Sequence, residues 1–342
     1  MAKADKKNKE ENSEKSFAHA HFSWYPGHMA KTRKAIIDDL KLIDIVIEIL
    51  DARIPISSRN PDIEDIIKNK KRIVILNKKD LADDGITKKW VEFFEKENTI
   101  AIPFEANKKN DINKIINSIK LECSDILNKY ASKGRNGYSI KAMIFGIPNV
   151  GKSTFINCIS KNSKAKVENR PGVTKEKQWI RISDNIELMD TPGMLWPKIQ
   201  NDKVKLNLAF TNSISSGVID NEEIAFQLLK FLIENYKSKI ENRYGIKIDD
   251  FQKNRNSKRE IEKNQNGTNS ENKNIYDEEF NSEYDENEFI LNIRNDIAIK
   301  KGCIMSGGKI DELKISNMIL NDFRNGKIGK ISLETPTDFR LI

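Results

Sequence analysis

The run Gly146-Ile147-Pro148-Asn149-Val150-Gly151-Lys152-Ser153 has the spacing G-x-x-x-x-G-K-S. Such a loop is built to wrap phosphates, because its glycines free backbone N–H groups to face an oxyanion and the helix that follows adds its positive end. Asn149, Val150, Gly151, Lys152, Ser153 and Thr154 are the expected phosphate-side contacts, with Lys152 reaching the outer phosphates and Ser153 ligating Mg²⁺. A second run, Asn77-Lys78-Lys79-Asp80, has the form N-K-x-D. The Asp80 carboxylate can accept two hydrogen bonds, from N1–H and the 2-amino group of guanine. Adenine offers neither donor, and a site built on such bonds discriminates by roughly 10⁴ or more. Asn77 is expected to brace the loop or bond the base, and the Lys78 stem to cover the base's face. In Glu105-Ala106-Asn107, the Ala106 N–H is placed to meet the guanine oxygen with Asn107 beside it, although Glu105 stands where Ser is usual.

A third run, Asp190-Thr191-Pro192-Gly193, is a D-x-x-G motif. Asp190 is expected to hold Mg²⁺ through water, and the Gly193 N–H to meet the γ-phosphate. Thr174, in Arg170-Pro171-Gly172-Val173-Thr174, is the natural switch threonine, closing on Mg²⁺ only when the γ-phosphate is present. GTP, GDP and Mg²⁺ are thus the expected ligands. The order of the motifs is unusual: the guanine reader precedes the phosphate loop, which implies a circularly permuted GTPase. The residue after D-x-x-G, where a glutamine would orient the attacking water, is Met194, whose thioether cannot do so.

The elements that must position these motifs alternate. Strands are expected at Ile43 to Leu50, Arg72 to Leu76, Thr99 to Phe104, Ile140 to Phe145, and a hairpin at Trp179 to Ile182 and Ile186 to Met189. Helices are expected at 29–42, Ile86 to Asn98, Ile112 to Tyr130 and Lys152 to Ser160. That alternation gives the fold class: α/β, a mostly parallel sheet with helices on both faces, each polar motif at the C-terminal end of a strand where such sheets bind ligands. After Trp196-Pro197 only helices are expected, at Lys203 to Ser215, Glu222 to Asn235 and Ile310 to Phe323. The domain reading is a tail at 1–21, a GTPase domain at 22–198 and a smaller all-α domain at 199–342. The tail and the Asn/Glu/Lys-rich segment 253–288 read as disordered.

The 342 residues suffice for two domains, and the net charge of +8 suits a polyanionic partner such as nucleic acid. The cysteines, Cys123, Cys158 and Cys303, are far apart and form no C-x-x-C pair, which argues against zinc and fits a reduced setting. No apolar signal core or bilayer-length run is present, so a cytoplasmic protein without a membrane partner is expected.

Trp24 to Lys31 (WYPGHMAK), Asp51 to Pro55 (DARIP) with Ser58-Arg59-Asn60-Pro61, Arg170 to Thr174, Asp190 to Lys198 (DTPGMLWPK) and Lys301 to Gly308 (KGCIMSGG) resemble the ribosome biogenesis GTPase A family. The resemblance covers roughly 22–251 and 289–336. It implies a permuted bacterial GTPase that matures the large ribosomal subunit, with rRNA and ribosomal proteins of the pre-large subunit as partners. A monomer is expected. It also points to His28 as the residue that orients or deprotonates water. Related GTPases with Asn at the position of Asn149 bind K⁺ beside the phosphates, so Asn149 is a candidate K⁺ ligand. Two other readings share the motifs: a GTP-gated RNA-binding module with incidental hydrolysis, and a permuted GTPase of the small subunit. Relatives of the latter kind typically carry a zinc-binding cysteine cluster, absent here. In the helical domain, Ile310, Leu313, Ile319 and Phe323 are expected to pack inward, leaving Lys300, Lys301, Lys309, Lys314, Arg324, Lys327 and Lys330 outward for rRNA phosphates.

Overall fold

The computed structural model describes residues 26–67, 70–106, 108–135, 137–162, 167–168, 179–191, 193, 195–196, 199, 201–214, 220–251 and 275–339. Its described residues divide into two units: one within 26–214 together with 330–339, the other within 220–329.

The first unit is built on a sheet ordered β3-β2-β1-β4-β7-β6-β5. Its strands are β1 (Ile45–Asp51), β2 (Lys71–Asn77), β3 (Ile100–Phe104), β4 (Ile140–Phe145), β5 (Val167–Glu168), β6 (Trp179–Ser183) and β7 (Ile186–Met189). The strands β3, β2, β1, β4 and β7 run parallel, and β6 turns back antiparallel to β7. Every residue of β1 is buried, as a central parallel strand covered on both faces requires. Around the sheet lie α1 (Pro26–Leu40), α2 (Ile63–Ile67), α3 (Asp84–Lys96), α4 (Lys109–Glu122), α5 (Ser124–Ala131), α6 (Lys152–Asn162) and α7 (Asp202–Phe210). One core cluster joins Ile36 and Leu40 of α1 to Val46, Ile63, Met143 and Phe145. A second joins Leu50, Val74 and Leu76 to Trp90 and Phe94 of α3.

The helix expected over Ile112 to Tyr130 is two helices, α4 and α5, broken at Cys123. Cys123 leaves helical geometry at φ −99° and ψ 15°, and its buried side chain anchors the break. Acidic Asp125 then falls in the first turn of the new helix, where a negative charge suits the helix dipole.

The second unit contains α8 (Asn221–Tyr244), α9 (Ile275–Lys300) and α10 (Glu312–Arg324). Helix α8 bends at Tyr236, whose φ of −138° and ψ of 36° are not helical, and ends on Gly245 in the left-handed region, φ +72°. Helix α9 was not legible. The segment 253–288 reads as disordered from composition, yet its last part, from Ile275, is helical. Buried Phe289, Ile290, Ile293, Ile297 and Ala298 carry the rest of α9 at helical spacing into this unit's core. Residues 253–274 and the tail at 1–21 lie outside the described residues.

The chain enters the helical unit later than the expected boundary at 198/199, and it returns to the sheet unit at 330. Helix α7 and residues 330–339 pack with the sheet. Ile331 N donates to Leu81 O at 2.8 Å and Leu333 N to Arg53 O at 2.9 Å. The Trp90 indole donates to Glu334 O at 3.2 Å. The C-terminal segment is therefore a strap over the loops that leave β1 and β2.

Candidate nucleotide site

Phosphate-loop and guanine-reader motifs meet because β1 lies between β2 and β4, so the loops leaving β2 and β4 emerge at one sheet edge. Asn77, the last residue of β2, is buried and donates through Nδ2 to Val150 O at 2.7 Å. Lys78 donates through Nζ to Asn149 O at 2.9 Å. The approach leaves no room for a side chain at Gly151: a β-carbon there would sit 2.3 Å from Asn77 Nδ2, and Gly151 has φ +97°. Gly146 is equally constrained, since a β-carbon would lie 2.7 Å from Ile49 O. Asp80 lies exposed at this edge. Ala106 follows β3 in a turn, and Lys79 N donates to Phe104 O at 3.2 Å. Asp111 ties the two loops further, accepting from Lys79 Nζ at 2.6 Å and from Glu105 N at 3.1 Å.

Ser153 and Thr154 are exposed in the first turn of α6, immediately after the loop. Lys152 Nζ donates to the loop carbonyls of Gly146 and Ile147 at 3.0 and 2.8 Å. Burial pushes its ammonium down to about 8, against the opposing pull of Asp190. Burial likewise raises the Asp190 carboxyl, against the charge of Lys152. A β-carbon on Gly193 would lie 2.8 Å from Lys152 Nζ and 3.0 Å from Pro148 N, so D-x-x-G and the phosphate loop touch. Thr191 fixes that strand end, donating through Oγ1 to Ile144 O at 2.5 Å.

Among the described residues no group of three or more His, Cys, Asp or Glu could hold a metal by itself. Hydroxyl Ser153 and carboxylate Asp190 instead form a sparse oxygen set, which fits Mg²⁺, an ion that takes few protein ligands and completes its shell with phosphate oxygens and water.

Asn149 is exposed, has φ +61°, and donates through Nδ2 to Asn212 O at 2.8 Å. That bond occupies its amide nitrogen. His28 falls in the first turn of α1. The His28 side chain, and Thr174, Asn107 and Met194 entire, lie outside the described residues.

Several residues of this edge carry no motif signal. Asp51 holds Lys78, Asp111 ties the loops after β2 and β3, and Asn207 and Glu334 hold the loop after β1 at Ser57; only Asp51 belongs to a quoted sequence block. Polarity at a strand end could have flagged Asp51; nothing local flags Glu334, which meets its partners across most of the chain.

A family model described as 50S ribosome-binding GTPase matches residues 141–264. It begins at β4 and omits Asn77 to Asp80, as the permuted order requires. Ribosome biogenesis GTPase A of Bacillus cereus is 38% identical over 316 residues, covering 92% of this chain and 94% of that protein. The chain belongs to the ribosome biogenesis GTPase A family. The protein of that name from Bacillus licheniformis is 40% identical, covering 92% of this chain and 98% of its own length. The GDP-bound structure of TM YlqF matches with a TM-score of 0.54 at 24% identity, covering 89% of this chain and all of that one, a likeness of fold. As a member of this family the protein binds guanine nucleotide and hydrolyses GTP. Among the described residues no helix is long and apolar enough to cross a membrane.

Proposed function

We propose that this GTPase is a cytoplasmic assembly factor that binds the pre-large (50S) ribosomal subunit as a monomer, promotes its late maturation, and hydrolyses GTP faster on that particle than alone. What supports the reading above all is the absence of a water-orienting glutamine from an otherwise complete site: Met194 follows D-x-x-G. A site that binds GTP but is poorly equipped to fire suits a timing device completed by its partner. The name carried by the Bacillus relatives and the 50S description of the family model point the same way.

Within that reading Asp80 reads guanine, with Asn77 and Lys78 bracing it and the Ala106–Asn107 turn supplying the N–H to the base oxygen. Lys152 and the backbone from Asn149 to Thr154 hold the phosphates. Ser153, Thr174 and Asp190 hold Mg²⁺, which neutralises phosphate charge when bound. Gly193 meets the γ-phosphate, and His28 orients water. Asn149 Oδ1 is the candidate K⁺ ligand.

The deciding experiment loads the protein with a non-hydrolysable GTP analogue and isolates bound particles from a lysate, then measures turnover with and without large subunits. Enrichment of immature large subunits and strong stimulation are expected. Binding to RNA without stimulation would instead favour a GTP-gated RNA-binding module, and small-subunit particles would sink the assignment.

A further inference from the structure

Asp51 ends β1 with its side chain fully buried. Arg53 grips it with Nε at 2.9 Å and Nη2 at 2.8 Å, and the Arg53 backbone N–H adds a bond at 3.1 Å. A second cation also reaches the same carboxylate: Lys78 Nζ lies 3.0 Å from Asp51 Oδ2. Burial alone would raise the Asp51 carboxyl, but the charges of Arg53 and then Lys78 overcome it and hold the group well below the usual carboxylate range. Asp51 and Arg53 are already neutral as a pair. The added Lys78 is therefore not needed for charge balance, and its ammonium bridges Asp51 to the phosphate-loop carbonyl of Asn149. Lys78 also has φ +60°, a backbone state that a residue without a β-carbon would adopt more readily.

We infer that Asp51 is a positioning residue for nucleotide binding, one that locks the Lys78 ammonium between β1 and the phosphate loop and so presents the Lys78 stem, pre-ordered, to the guanine face. A free lysine side chain would lose its rotamer freedom on binding; here that freedom is already spent. The loop that carries Asp51 is itself held, by Ser58 Oγ accepting from Asp51 N at 3.0 Å and by the strap at Arg53 O. The inference rests on the reading of Asn77 to Asp80 as the guanine reader.

The test is a double-mutant cycle on GDP affinity with Asp51→Asn and Lys78→Met, the latter keeping the stem and removing the charge. Each single change should weaken GDP by roughly tenfold or more, and the double variant should be within about twofold of Lys78→Met alone. Effects that multiply would make Asp51 a structural residue and overturn the inference. Asp51→Asn leaves Arg53 as a buried charge; if thermal melting shows that it does not fold, Asp51→Asn/Arg53→Gln takes its place in the cycle, and failure of both to fold also overturns the proposal. Asp80→Asn is measured alongside with GDP and xanthosine diphosphate. If Asp80→Asn does not shift preference to xanthine, the guanine reading fails. A shift together with a multiplicative cycle sinks the Asp51 inference alone.

Discussion

Lys152 shows what the phosphate site does to a single side chain. Its ammonium donates to the loop carbonyls of Gly146 and Ile147, and burial brings it down to about 8 against the pull of Asp190. A di- or triphosphate stabilises the charged form, so binding takes up a proton wherever free Lys152 is partly neutral. Affinity for GDP should be flat below pH 8 and fall towards tenfold per unit above it, until the raised pKa of the complex is reached. Titrations between pH 6.5 and 9.5 check this, and a flat profile across the range would remove the perturbed lysine from the account. Lys152→Ala should abolish nucleotide binding, and Ser153→Ala its Mg²⁺ dependence. His28→Ala makes the complementary prediction: nearly unchanged GTP affinity and slowed turnover on the ribosomal particle, the signature of an interaction made in the transition state. Equal loss of both would recast His28 as structural. Replacing K⁺ by Na⁺ tests Asn149 in the same assay, with slower turnover expected only if a cation sits at its Oδ1.

The C-terminal strap carries the argument at the scale of elements. Glu334 is completely buried, and its carboxylate accepts from Ile56 N at 2.9 Å, Ser57 N at 3.0 Å, Ser57 Oγ and Asn207 Nδ2 at 3.1 Å. All of these partners are neutral. Burial outweighs their hydrogen bonds and pushes the group up to about 7. For an acid with a raised folded pKa, the native state holds its proton more tightly than the unfolded chain. Stability from this group is therefore greatest below the unfolded value near 4.5 and falls as pH rises to about 7. Strap docking, read from hydrogen-exchange protection of the Ile331 and Leu333 amides after correction for intrinsic rates, should strengthen on going from pH 7.5 to pH 5.5. Glu334→Gln should remove that dependence, and Glu334→Ala should cost about 2–4 kcal/mol by stranding the Ile56, Ser57 and Asn207 donors. Protection that does not move with pH in the native protein would refute the assignment. The same element marks where sequence reading ends. The alternation of strands and helices, the parallel sheet and the meeting of the three motifs at one edge were legible, because periodicity and glycine spacing are local signals. The strap, the break at Cys123 and helix α9 were not. Strap contacts are long-range, and nothing near Glu334 in sequence announces Ser57. The polar stretch that precedes α9 masks the apolar spacing of Phe289, Ile293 and Ile297.

At the scale of the whole molecule, the helical unit is tied to the sheet unit by two chain crossings, one after α7 and one before the strap. Asn207 of α7 and Glu334 of the strap bond to each other at 3.1 Å, so both crossings end in one clasp within the sheet unit. Cutting the chain at 198 would remove α7 and the strap as well as the helical unit, and would uncover Trp90, which the strap meets through Glu334 and Phe339. The clean variant instead replaces 216–329 by a Gly/Ser linker. It should keep GDP affinity and lose co-sedimentation with large subunits and stimulated turnover. The exposed residues of 299–314 motivate that expectation. Ile319 and Phe323 are buried, but Leu313 is 54% exposed and Ile310 half-buried, so the inward set expected for α10 is smaller than its spacing implied. Leu313 stands out together with Ile299, Ile304 and Met305. Lys300, Lys301, Lys309 and Lys314 are exposed in the same stretch of chain, whereas Lys330 pairs with Asp84 at 2.7 Å in the sheet unit and leaves this set. Cations that neutralise rRNA phosphates release counterions, so binding should fall steeply with salt, with a slope that tracks the number of phosphate contacts. Lys301→Ala and Lys309→Ala should each shallow that slope by about one in the logarithmic plot while leaving free-protein GDP affinity intact. Undiminished co-sedimentation of the 216–329 replacement, or a slope that neither substitution alters, would move the docking surface elsewhere on the molecule.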